Sequence, residues 1–216
     1  MKNFLRICLP LVFVFGLCAR PSFADSFTLD QSFTSGNNLF AVINSCCAFV
    51  GQTYTAGLLG MLAGVSVDIS EISGDNFPLD VQIRTVTGGL PTTTILGETS
   101  TTAFSLSDVI TFPQAITQVP GSEYAIVVDF LGAPPQGLAV GNWIGGTGNL
   151  YPFGDSVSSL DGGATWVAFG PNDFDSNFQT FVNPVPEPSS LLLLSAGLLG
   201  LVAFWRLARS SMRRPA

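Results

Sequence analysis

The feature that most constrains this chain is a charge-free run near its C-terminus, Leu191–Trp205, in which Ser195 is the only polar side chain among fifteen residues. A helix that is apolar on every side needs burial in a large core or in lipid. The approach to it reads Val185-Pro186-Glu187-Pro188-Ser189-Ser190. Its two prolines forbid a regular helix or a central strand across that hexapeptide. As a helix the run spans roughly 22 Å, short of the ~30 Å hydrocarbon core of a bilayer. Ser189, Ser190, Leu207 and Ala208 extend it, so a single transmembrane helix over about 189–208 is expected, with Arg206 snorkelling to the interface. Arg206, Arg209, Arg213 and Arg214 form a basic stop-transfer cluster over 206–214. They orient the helix with its C-terminal side in the cytoplasm and everything before Pro186 outside.

A Pro-Glu-Pro motif, a short hydrophobic helix and a terminal Arg cluster, in that order, resemble the PEP-CTERM sorting signal of Gram-negative bacteria. The resemblance covers residues 184–216, with the motif at 185–190 and its recognised part at Val185, Pro186, Glu187 and Pro188. It implies a partner, an exosortase-like membrane transpeptidase that processes the chain beside the motif. It also implies a setting of exopolysaccharide and biofilm matrix. It describes the handling of the protein rather than its activity.

The other end points the same way. Lys2 and Arg6 precede the apolar run Ile7–Leu17, and Ser22-Phe23-Ala24 places small residues at −3 and −1. This is the pattern of a secretory signal peptide, residues 1–24, cut between Ala24 and Asp25. The Sec translocon and signal peptidase are thus expected partners. Leu17 before Cys18 is too large for a lipobox, so lipidation is not expected.

Between the two lie residues 25–183, enough for one domain with a sizeable core. Arg84 is the only base there, against fourteen acids, a net charge of −13. Such a surface repels phosphate backbones and anionic lipid, which excludes nucleic-acid binding. The pattern is strand and turn. Val65, Val67 and Ile69 alternate with polar residues, as do Leu79, Val81 and Ile83, while Tyr124, Ile126, Val128 and Phe130 share a face. Gly74-Asp75-Asn76, Thr87-Gly88-Gly89, Pro120-Gly121 and Asp161-Gly162-Gly163 punctuate these runs. Further strands are expected at Gln52–Ala56, Thr94–Thr101, Val109–Phe112, Trp166–Phe169 and Phe178–Val182, with regularity ending at Ser35–Val50 and Gly132–Gly163. The expected fold is all-β: a two-sheet antiparallel β-sandwich of jelly-roll type. The order of Gly51–Ala56, Gly64–Val67, Leu79–Pro91, Tyr124–Val127 and Asp161–Trp166 also resembles a jelly-roll domain of bacterial surface proteins. That resemblance implies location and supplies no catalytic residue.

Little chemistry is visible. The chain has no histidine, and no lysine after Lys2. Ser–His and Cys–His nucleophile pairs, His-ligated metals and Ser–Lys centres are therefore excluded. Gly141–Gly148 is Gly-rich but precedes no amphipathic helix and reads as a loop at a sheet end. Carboxylate pairs are the remaining catalytic option, at Asp173 with Asp175 or Asp155 with Asp161. Asp173, Asp175 and Asn177 alternate and make calcium the candidate ion, weighed against a solvated turn. Trp143, Tyr151 and Trp166, with Phe153 beside them, are candidate glycan contacts, weighed against core roles. Cys46 and Cys47 are the candidate disulfide. Their Cα atoms are only ~3.8 Å apart across a trans peptide, below the usual ~4.4–6.8 Å. Buried thiols or intermolecular pairing stay open.

These readings converge on a non-enzymatic exported protein at the cell surface or in the extracellular matrix, without a resident cofactor. The alternatives are a lectin-like glycan-binding module and a carboxylate-dependent glycan hydrolase.

Overall fold

The computed structural model describes residues 27–36, 39–44, 49–73, 78–102, 104–130, 140–169 and 174–184, together with Ser195, residues 197–201 and Trp205 of the tail. The expected signal peptide with Ala24 and Asp25 lies outside the described residues. So do Cys46, Cys47, Asp173, the motif Val185-Pro186-Glu187-Pro188, and Arg206, Arg209, Arg213 and Arg214.

The described body is all-β and every pairing is antiparallel. In chain order the strands are β1 (Thr28–Phe33), β2 (Leu39–Asn44), β3 (Phe49–Thr55), β4 (Gly60–Val67) and β5 (Ile69–Ser73). Then come β6 (Leu79–Thr87), β7 (Leu90–Thr101), β8 (Thr117–Gln118), β9 (Glu123–Phe130) and β10 (Val140–Gly146). The last four are β11 (Ser156–Ser159), β12 (Val167–Ala168), β13 (Asp175–Ser176) and β14 (Phe178–Pro184). A six-stranded sheet runs β12-β11-β3-β9-β6-β7, and a four-stranded sheet runs β1-β14-β4-β8. A smaller sheet runs β13-β10-β2, with β5 also paired to β10. The chain passes from the four-stranded to the smaller sheet at Asp68, between β4 and β5, and returns at Asn177, between β13 and β14.

One core joins all three sheets. Leu79, Val81, Ile83, Tyr124, Ile126 and Val128 from the six-stranded sheet meet Leu62, Val65, Val67 and Phe178 from the four-stranded one, with Ile43, Ile69 and Trp143 from the smaller sheet. This is the sandwich arrangement, in which inward positions of facing sheets interdigitate. Turn chemistry closes its longest hairpin, β6–β7. Gly88 (φ 62°) and Gly89 (φ 78°) both take the left-handed conformation that a two-residue hairpin turn requires.

Three expectations change. Val65, Val67 and Ile69 read as one strand, but Asp68 breaks it: its backbone oxygen accepts from Ile144 N at 2.8 Å, and Ile69 pairs into the smaller sheet. Val109–Phe112 is not a strand; Ile110 makes only an isolated bridge to Val65. The two segments read as irregular hold β2, β10 and β11, and Gly141–Gly146 is strand rather than loop. The physical reason is close approach: a Cβ at Gly145 would collide with the Asp175 backbone oxygen. Glycine is therefore required where β10 meets β13.

Candidate functional site

The most informative place is where the domain ends. β14 is the second strand of the four-stranded sheet, held by β1 from Thr28↔Val182 to Phe33↔Phe178 and by β4 from Phe178↔Val67 to Pro184↔Gly60. Phe178, Thr180 and Val182 point inward and are buried. Proline has no N–H to donate, so it can close a strand but not continue a central one. The ladder therefore grips the chain up to Pro184, and Val185 is the next residue. In the tail, Ser195, residues 197–201 and Trp205 are helical, with Leu198, Leu199, Leu201 and Trp205 exposed. Among the described residues no helix is long and apolar enough to cross a membrane.

Of the described residues expected to bind calcium or glycan, Trp143, Tyr151, Trp166, Asp175 and Asn177 are buried in the fold, whereas Phe153 beside them is 60 % exposed. Trp143 is 0 % exposed and its indole N–H donates to Asn177 O at 2.8 Å. Tyr151 is buried, stacks edge-on to Phe178 with ring centroids 5.1 Å apart, and donates its hydroxyl to Gln31 Oε1. Trp166 is buried with its N–H on Gly163 O. None of the three presents an open ring face for a sugar. Asp175 Oδ2 accepts from Leu150 N and Tyr151 N, both at 2.9 Å. Burial still pushes its pKa up against those bonds. Asn177 Oδ1 accepts from Gly36 N, and its amide donates to Asp68 Oδ2 at 3.0 Å. Asp175 and Asn177 thus pin the corner between two sheets rather than turning one set of oxygens to solvent. Among the described residues no group of three or more His, Cys, Asp or Glu is placed to hold a metal ion.

Of Asp155 and Asp161, the first acts through its backbone and the second through its carboxylate. Asp155 offers its backbone oxygen to Thr53 N and Thr53 Oγ1. Asp161 organises its loop: Oδ1 accepts from Ser159 Oγ, Ala164 N and Thr165 N, and Oδ2 from Thr165 Oγ1 at 2.6 Å. The Thr165 hydroxyl and backbone N–H, then the Ser159 hydroxyl, hold its pKa down at about 2.

That loop covers a polar network that the sequence did not announce. Asp80, Gln82 and Arg84 occupy the second face of β6, and Asp129 lies opposite Asp80 on β9. All four are buried. Gln82 Nε2 donates to Asp80 Oδ2 at 2.7 Å and to Glu98 Oε1 at 3.2 Å, while Arg84 Nε donates to Gln82 Oε1 at 2.8 Å. The guanidinium stacks over Phe49 and Trp166, at 5.8 and 5.5 Å from the ring centroids, and bonds Gly163 O. Desolvation, then a hydrogen bond with Glu98, raises Asp80 well above an ordinary carboxyl; desolvation raises Asp129 to about 6, against the pull of Arg84. One signal was legible: Ala125 and Val127 on β9 are apolar on the face opposite Tyr124 and Ile126. Both faces of that strand are therefore covered, and Asp129 within it is a buried acid.

Fold and junction together define a β-sandwich whose last strand runs without a spacer into a C-terminal address. The address is a recognised one: residues 184–210 match the family model of the PEP-CTERM protein-sorting motif, so the chain carries that motif. The match implies export, a membrane-anchored C-terminal signal and processing by an exosortase. No curated protein matches the chain.

Proposed function

We propose that the chain is a non-enzymatic exported protein, delivered by an exosortase to the cell surface or the extracellular matrix and associated there with exopolysaccharide or biofilm. The observation that carries this reading is the sorting motif at 184–210, beginning where β14 ends. In this reading the signal peptide is removed between Ala24 and Asp25, and Thr28 enters the first strand just beyond the cut. Pro186-Glu187-Pro188 is the recognised element, and Arg206, Arg209, Arg213 and Arg214 stop transfer. The sandwich is of jelly-roll type and is the cargo. Cell fractionation with and without the exosortase tests this. The protein should leave the inner membrane only when the enzyme is present; identical distribution in both strains overturns the reading.

A further inference from the structure

We propose that, while the tail is anchored, the outer face and exit end of the four-stranded sheet rest on the lipid headgroups. This inference depends on the anchor reading above and adds a second membrane contact, made by the folded domain itself.

The register of the sheet places four of its exposed apolar residues at one end. Val182 lies opposite Thr28, Pro184 opposite Gly60, and Gly60 opposite Gln118. Phe27, Leu59 and Val119 directly adjoin those partners, and Leu29 pairs with Phe181 on the outward side of β14. Their exposures are 50 % for Phe27, 49 % for Leu29, 50 % for Leu59 and 48 % for Val119. Four half-exposed hydrophobic side chains thus surround the point where the chain leaves for the tail. Scattered single apolar residues are ordinary on a surface, but a group marks a contact.

Tether length decides what the contact is. Four residues, Val185–Pro188, separate β14 from the helix expected over 189–208. Fully extended they reach about 14 Å. The headgroup layer takes up ~5–8 Å of that on each side of a bilayer. A domain of this length has a radius of gyration of roughly 15 Å, so its diameter exceeds the tether. The exit end of the sheet therefore stays close to the bilayer surface.

Charge agrees. Of the fourteen acids in the domain only Asp30 lies on the strands of this sheet. Its carboxylate is occupied by Gly57 N and Leu58 N, at 3.0 and 2.8 Å. An anionic lipid surface would repel the acidic domain, and the strands of this sheet present it with only one carboxylate, already hydrogen-bonded.

The test uses the unprocessed chain, expressed without an exosortase and placed in phosphatidylethanolamine–phosphatidylglycerol vesicles. A photoactivatable diazirine amino acid replaces Leu59, Val119 or, as control, the exposed Leu160 on the loop outside the six-stranded sheet. After flotation and illumination, mass spectrometry should find lipid adducts at Leu59 and Val119 and none at Leu160. Water-quenched product at all three positions in floated vesicles overturns the proposal and leaves the anchor standing. A crosslinked dimer through Leu59 or Val119 also overturns it, because a second copy then covers the face. A chain that fails to float refutes the anchor and this contact together.

Discussion

Pro184 sits opposite Gly60 as the last rung of the β14–β4 ladder, and the sorting motif follows with no spacer. The sheet therefore fixes where the motif emerges, and the stability of that rung bears on processing.

Gly60 is required at this rung. A Cβ there would collide with the Asn183 carbonyl oxygen and Val182 Cγ1. Overpacking of this kind costs about 1–3 kcal/mol. Gly60→Val should lower the melting temperature and increase hydrogen exchange at Asn183, whereas Gly88→Ala, where no atom lies within 4 Å of the added Cβ but φ is positive, should disturb only its hairpin. Amide exchange resolved by residue distinguishes the two.

Stability should fall as pH rises from about 4 to 7. Burial raises Asp129 to about 6 and Asp80 well above the ordinary carboxyl range, so the folded state holds protons that the unfolded chain has released. Stability is then highest below the unfolded pKa and declines as pH passes through the folded values. Asp30 and Asp175, also raised by burial, act in the same sense. Asp80→Asn, which mimics the protonated form, should add about 1–2 kcal/mol at pH 8 and little at pH 4. Urea titrations at the two pH values measure it; an unchanged pH slope in the variant contradicts the assignment.

Trp143→Ala should cost about 3–5 kcal/mol, as for other large core truncations. Trp143→Phe keeps most of the ring but removes the donor to Asn177 O, at a cost of ~1–3 kcal/mol. Denaturant midpoints for the two variants read the packing and the hydrogen bond separately.

Asp161→Ala should loosen the loop that lies over Arg84. Ala164 N and Thr165 N lose their acceptor, and their exchange should accelerate while β9 amides stay protected. In the native protein the same loosening should appear on acidification from about pH 4 to 2, the range over which a depressed carboxylate loses its advantage.

Strands that alternate cleanly were legible: β6, β9 and β14 fall where Leu79–Ile83, Tyr124–Phe130 and Phe178–Val182 announce them. β10 was not, because Val140-Gly141-Asn142-Trp143-Ile144-Gly145-Gly146 carries glycines for close packing, and glycine in a sequence signals a turn as readily. The polar network on β6 was hidden for a different reason. Asp80, Gln82 and Arg84 look like a solvent face until the loop carrying Gly163 and Trp166, remote in sequence, is seen to cover Arg84, to which Gln82 and then Asp80 are hydrogen-bonded. The sorting motif was the most legible element, because prolines, an uncharged run and arginines each carry meaning without tertiary context.

The most direct test is mass spectrometry of the mature C-terminus, in cells with and without the exosortase. The account predicts a chain ending beside Pro186-Glu187-Pro188 when the enzyme is present and at Ala216 when it is absent. A tail intact to Ala216 in both would contradict it.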